Sequence, residues 1–245
     1  MTEIIGGVNP VLEALQSRAN AFDRIYLAQG RVRPRLKELL QAARSAGIRV
    51  DRVEQYRLDQ LYQGRGHQGV VARIGDYQYY SFEEIMNRAR GRRALVLVLD
   101  NIQDPMNLGS LIRSAEAAGA AGIILPRDKA APVTSVTIKA SAGAAEHVAV
   151  ARVVNLVRAV ESLKKEGFWV LGADQNAEAS LYDQDLNLRL ALVIGSEGKG
   201  LRRLIREKCD GLVSIPLLGR ISSLNAGVAG ALVMYEYVRQ TRAGT

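Results

Sequence analysis

From Ala94 onward, short apolar runs alternate with segments of helical period about every ten to fifteen residues, the pattern of a parallel sheet covered on both faces. The runs are ALVLVLD (94–100), AGIILP (121–126), VAVARV (148–153), FWVLGA (168–173), RLALVIG (189–195) and GLVSIP (211–216). Helices are predicted between them over about 109–118, 134–145, 155–166 and 201–208, with a last one over about 224–240. Asn155 and Gly167 read as the cap and stop of the 155–166 helix.

The first third is patterned differently, as a small α/β unit over residues 1–75. Asn9 reads as an N-cap with Pro10 at the first helical position, followed by Val11, Leu12 and Leu15 at helical spacing. A strand RIYLA, a helix opened by Pro34 and closed by Gly47, a strand IRVDRV, a short helix around YRLDQLY and a strand GVVARI complete it. Residues 76–93 show no core alternation and read as a linker carrying a short helix capped by Ser81. Residues 94–245 form the second domain.

At 245 residues and 48% hydrophobic, the chain can fill a proper core. The apolar runs fall well short of the roughly 20 residues of a membrane span. Met1 opens directly onto TEIIGGVNP without a basic-then-apolar leader, which points to the cytoplasm. Cys209 is the only cysteine, and His67 and His147 stand far apart, so an intrachain disulfide and a Cys/His metal cage are excluded. The net charge is +8, of which +6 falls in residues 1–93. Its carriers there are mostly arginines, among them Arg24, Arg31, Arg33, Arg44, Arg52, Arg65 and Arg73. Guanidinium forks suit phosphates and stack on bases, so a polyanion is a fair partner; the plain alternative is a solvated basic face.

Three loops follow strands and combine glycine with polar side chains, at the sheet edge where open α/β folds bind ligands. They lie in DNIQDPMNLGSLIRSAEAAG, LVIGSEGKGLRR and IPLLGRISSLNAGVAGALVMYE. None is a dinucleotide or P-loop fingerprint, and none has the downstream acid of a ribose-binding dinucleotide site. Singly, each also fits a plain connection between a strand and a helix.

Together and in this order, NLGSLIRSAEAAG, LVIGSEGKGL and ISSLNAGVAGALVMYE resemble the three motifs of the SpoU/TrmH family, RNA ribose 2′-O-methyltransferases that use S-adenosylmethionine. GVNPVLEAL and HQGVVARI resemble the RNA-binding extension of members that methylate a guanosine in the peptidyl-transferase region of 23S rRNA. The resemblance therefore spans nearly the whole chain. It implies a SPOUT-type α/β domain with a trefoil knot, a fold feature the general rarity of knots would otherwise argue against. It implies a cofactor pocket lined by Gly195, Ile215 and Leu224, largely through backbone groups, and an active site built in a homodimer. The C-terminal helix, with Val228, Leu232, Met234 and Tyr235, would supply a packing surface.

By the same resemblance, Asn107, Arg113, Glu197, Ser223 and Asn225 carry the chemistry. A ribose 2′-hydroxyl is a weak acid, so the site must polarise or remove its proton while holding the oxygen in line with the methyl donor. A guanidinium is effectively always protonated, which suits Arg113 to clamping a phosphate and stabilising the alkoxide, with a phosphate or a water taking the proton. Plain readings stand beside these roles. Arg113 also fits a surface arginine near a helix start, Asn107 a turn cap, Glu197 a solvated loop acid, and Ser223 and Asn225 caps of the last helix. His67 fits a structural or RNA-contacting role, His147 packing beside a strand, and Cys209 a small buried side chain. Tyr77, Tyr79, Tyr80 and Phe82 could stack on bases but fit packing better. Gly227 stands where close relatives usually carry serine.

The reading is thus an RNA ribose 2′-O-methyltransferase acting on guanosine in 23S rRNA, with RNA rather than DNA as partner. Its rivals are a tRNA or resistance-type rRNA adenosine 2′-O-methyltransferase, a non-catalytic RNA-binding or ribosome-assembly factor on the same fold, and a doubly wound nucleotide-binding enzyme.

Overall fold

The computed structural model describes residues 2–29, 34–63, 66–91 and 93–242; Met1, Arg31, Arg33, Arg65 and Arg92 lie outside them. The chain forms two compact units, one of Met1–Gln78 with Pro132–His147 and one of Tyr79–Ala131 with Val148–Thr245.

The first unit holds a four-stranded sheet of β1 (Thr2–Gly6), β2 (Phe22–Ala28), β3 (Val50–Val53) and β4 (Val70–Gly75), ordered β1-β4-β2-β3. β4 is antiparallel to both neighbours, while β2 and β3 pair in parallel. Helices α1 (Val8–Arg18), α2 (Pro34–Ser45) and α3 (Gln55–Leu61) accompany it. Helix α1 starts two residues earlier than its sequence pattern suggests. Gly7, at φ 113°, turns the chain out of β1 and takes the N-cap position in place of Asn9. Pro10 still falls in the first turn, where its missing N–H costs nothing. The 134–145 helix expected from the sequence is broken into α6 (Ser135–Ala140) and a 3₁₀ turn (Ala144–Glu146), with Ala142 and Gly143 both at positive φ. This piece packs on α1 and β1 and so belongs to the first unit. His147 does not pack beside a strand. Its Nε2 meets Glu13 Oε2 at 2.5 Å, within the same unit.

The second unit is a six-stranded parallel sheet of β5 (Ala94–Asp100), β6 (Gly122–Pro126), β7 (Val150–Val153), β8 (Trp169–Ala173), β9 (Arg189–Gly195) and β10 (Gly211–Val213), ordered β10-β8-β9-β5-β6-β7. Helices α4 (Phe82–Arg88), α5 (Pro105–Ala117), α7 (Leu156–Lys165), α8 (Arg203–Lys208) and α9 (Ala226–Arg242) surround it. β5 and β6 are buried along their whole length, which explains their unbroken apolar runs. One core joins Val96, Val98, Ile124, Val170 and Val193 to Val160 and Leu163 of α7 and Ile205 of α8. The 76–93 stretch is more than a linker: α4 carries a Ser81–Glu84 capping box and buries Ile85 completely in that core. Tyr80 packs on the same core beneath the Arg88 guanidinium, and Arg152 lies over Tyr79.

The order of strands places the functional end. After β5 the chain moves to β6 on one side, and after β9 it moves to β10 on the other. The carboxyl ends of β5 and β9 therefore flank a topological switch point, with Asp100 and Gly195 in register across it.

Candidate functional site

Three loops converge on this end of the parallel sheet. The loop after β9 folds back on itself, with a bridge between Ser196 and Gly200 and a Gly200 N–H donating to the Ser196 carbonyl at 2.9 Å. A side chain on Gly195 would not fit beneath it, because a Cβ there would lie 2.2 Å from the Gly200 carbonyl carbon. Glycine is required at that strand end by backbone approach.

Between this loop, the loop after β8 and the segment following β10 lies a cleft of about 930 Å³, open mouth included. Gly195, Ile215 and Leu224 line it, as do Glu197 and Ser223. Its walls are largely apolar, with Ile194, Leu201, Val213 and Leu217, and its polar groups cluster at Asp174, Gln175, Asn176 and Glu197. This is the composition of a site for a small organic molecule with an apolar body and a few polar handles. The loop after β8 escaped the sequence reading. The rule that drew attention to the other strand ends would also have found Ala173–Asn176, which lack only the glycine signal. Asp174 there is held by Arg206 Nε at 3.2 Å.

A second, smaller cleft adjoins the first and is lined by Asn101, Gln103, Asp104 and Asn107 on one side and Ser196, Glu197 and Lys199 on the other. Glu197 faces both. Its Oε1 accepts from the Asn225 amide and from Ala226 N–H at 3.3 Å, while the same Asn225 Nδ2 donates to Asn107 Oδ1 at 2.7 Å. Asn225 Oδ1 in turn accepts from Gly227 N–H at 2.9 Å and Val228 N–H at 3.3 Å, capping α9. One side chain thus fastens the last helix, the β9 loop and the start of α5 together.

Several local readings change here. Helix α5 begins at Pro105, with Asp104 as its cap, accepting from Met106 and Asn107 N–H at 3.1 and 3.2 Å. Asn107 is therefore not a turn cap, and its side chain is free to bond Asn225. Ser223 lines the cleft and does not cap α9. Arg113 lies in the third turn of α5, not near its start. It is exposed and makes no hydrogen bond to the Asn107–Glu197–Asn225 cluster. Met234 is fully buried and cannot join Val228, Leu232 and Tyr235, which are exposed along one stripe of α9. Gly227 is buried against α5, where a Cβ would lie 2.7 Å from Ser110 Oγ. In the first unit, His67 is buried. Its Nδ1 accepts from Gly69 N–H at 3.1 Å and its Nε2 meets Asp59 at 2.9 Å, so it braces a turn.

The SpoU rRNA methylase family profile matches residues 94–235, and the substrate-binding profile of RNA 2′-O ribose methyltransferases matches residues 4–80. The chain belongs to the SpoU rRNA methylase family. It is 45% identical over 239 residues to the 23S rRNA (guanosine-2′-O-)-methyltransferase RlmB of Xanthomonas campestris, covering 96% of each chain. It is 42% identical to YacO of Bacillus subtilis, named for the TrmH family of tRNA/rRNA methyltransferases, over 96% of this chain and 94% of that one. Among solved structures, the SpoU methyltransferase AviRb of Streptomyces viridochromogenes, in complex with AdoMet, superposes with a TM-score of 0.83 at 27% identity, covering 99% of this chain and 92% of that one. Membership carries the enzyme class expected from the three motifs, an RNA 2′-O-methyltransferase with an α/β parallel-sheet catalytic unit and a substrate-binding α/β unit.

Proposed function

We propose that this chain methylates the ribose 2′-hydroxyl of a guanosine in the peptidyl-transferase region of 23S rRNA, with S-adenosylmethionine as donor. The observation that carries the reading is the pair of adjoining clefts sharing Glu197. One is walled by Ile194, Val213 and Leu217; the other is edged by Asp104 and Asn107.

The donor fits the larger cleft. Apolar walls suit an adenosyl group, and the carboxylates of Asp174 and Glu197 stand in the same lining. Gly195, Ile215 and Leu224 would hold the cofactor there. Bound S-adenosylmethionine supplies a methyl group already activated by a sulfonium charge. What remains for the protein is to orient the acceptor oxygen and manage its proton. Asn107 edges the smaller cleft, and Asn225 ties it to Glu197. Arg113, permanently charged, clamps the target phosphate and stabilises the developing alkoxide; the phosphate or a water accepts the proton.

The active species is a homodimer in this reading. Val228, Leu232 and Tyr235 leave an apolar stripe on α9 that a second copy would cover. The segment from β10 back to α9 lines the same cleft as the β9 loop, which suits the knotted threading that the family resemblance implies.

The test is methyl incorporation from labelled S-adenosylmethionine into unmodified 23S rRNA and tRNA transcripts, followed by nucleoside identification. 2′-O-methylguanosine in rRNA is the expected product. Incorporation into tRNA alone would move the substrate to tRNA, and cofactor binding without incorporation into either would make the chain a non-catalytic assembly factor. Full turnover in Arg113→Lys would rule out the bidentate clamp.

A further inference from the structure

Asp100 ends β5 and is fully buried, yet no step above uses it. A carboxylate out of water must be compensated by charge and hydrogen bonds. Among the described residues its hydrogen-bond partner is Arg202 alone: Asp100 Oδ2 accepts from the backbone N–H of Arg202 at 2.8 Å, and Oδ1 accepts from Arg202 Nε at 2.6 Å. Arg202 is the residue at which the β9 loop ends and α8 is about to begin. The loop starts at Gly195, which is the β-ladder partner of Asp100 itself.

We infer that Asp100 is the positioning residue of the cofactor-pocket loop, holding both ends of the Ser196–Leu201 turn and so setting where Glu197 stands. Backbone pairing fixes the entry of the loop beside Asp100, and the side chain of Asp100 fixes its exit. Between these points the turn is closed by its own backbone bonds, Gly200 to Ser196 at 2.9 Å and Lys199 to Glu197 at 2.9 Å. Glu197 rides on that turn and carries the bonds to Asn225 and Ala226. The tether thus runs from a buried strand end to the carboxylate that joins the two clefts. The β5 carboxylate also explains why Arg202 keeps its side chain at the loop although about half of it is exposed to solvent.

This inference rests on the cofactor reading of the larger cleft for its consequence but not for its geometry. The decisive experiment therefore has two readouts on the full-length protein. Amide hydrogen exchange of the ligand-free protein reads the loop directly, and calorimetric titration with S-adenosylmethionine reads the pocket. Asp100→Asn retains the shape and one acceptor but removes the charge. Arg202→Ala leaves the strand intact and serves if the Asp100 variant does not fold. Both variants should speed exchange at residues 196–202 while β5 and β6 stay protected, and weaken cofactor binding about tenfold. Arg202→Lys, which keeps the backbone bond and a cation, should fall between them and the parent protein. Unchanged loop exchange in both variants would overturn the assignment, as would faster exchange spread evenly over the whole parallel sheet, the mark of a general fold defect. Parent protein that binds no S-adenosylmethionine would overturn the cofactor reading and leave the tether to be judged by exchange alone.

Discussion

The two sheets of this molecule offer their ligands different surfaces. In the four-stranded sheet β2 alternates, with Ile25 and Leu27 buried and Arg24 and Tyr26 partly exposed on the opposite face, and no residue of β3 is buried. The six-stranded sheet is covered on both faces by helices and presents side chains to solvent mainly at strand ends. A sheet of the first kind can bind through its face; one of the second kind can act only through loops at one edge. The net charge is shared equally between the units, 13 Lys+Arg against 9 Asp+Glu in the first and 20 against 16 in the second, +4 each, so it is only denser on the smaller first unit; glycines and amides gather at the carboxyl edge of the second.

The sharpest way to break this contrast is to fill the one strand end that cannot hold a side chain. Gly195→Ala should abolish cofactor binding, with the loss read by calorimetry as more than about a hundredfold, because the Cβ meets backbone and not a side chain that could swing away. Asn225 comes next. Asn225→Ala should lower turnover about a hundredfold and also cost about 1 kcal/mol of stability, since it removes the cap of α9 together with the amide between Asn107 and Glu197. Asn225→Asp separates the two roles. It retains the cap acceptor, so the melting temperature should hold, while the new carboxylate repels Glu197 and turnover falls.

On the first unit the expected effects are smaller and spread over many residues. Arg24 and Arg73 are committed to Asp51 and Asp23 at 2.8 and 3.5 Å, whereas Arg44 and Arg52 are exposed without an ion pair among the described residues. Arg44→Ala and Arg52→Ala should each weaken RNA binding a few-fold and reduce its salt slope by about one, with cofactor binding unchanged. An unchanged salt slope would make these arginines a solvated face only. The smallest effect concerns Cys209. Burial pushes its thiol up to about 12, so thiolate is scarce at neutral pH. It should react with a thiol reagent only after unfolding, when the rate rises to that of a free cysteine.

Most of the second unit was legible because its strands are buried on both faces and therefore read as continuous apolar runs. The first strand of the chain was not, since two adjacent isoleucines in TEIIG show neither alternation nor a run. The inserted 132–147 segment was misassigned for a different reason. Its helical pattern is genuine, but its packing partners on α1 and β1 lie more than a hundred residues earlier in the chain. The site residues divide the same way. Three glycine-bearing loops were visible as local composition, and the motif order pointed to their chemistry. That Asn225 bonds both Asn107 and Glu197 was not visible, because the three come from separate loops.

What the sequence determined by itself was local: the period of each element, the caps at Ser81 and Asn155 that short polar side chains form with nearby amides, and the glycine at 195. These depend on interactions within a few residues, which composition and spacing encode directly. Which strands lie side by side, and hence that Asp100 reaches Arg202 and that Glu197 separates two clefts, was decided only in the tertiary structure. Sheet order depends on the sum of many weak burial terms over the whole chain, and no short stretch of it carries that sum.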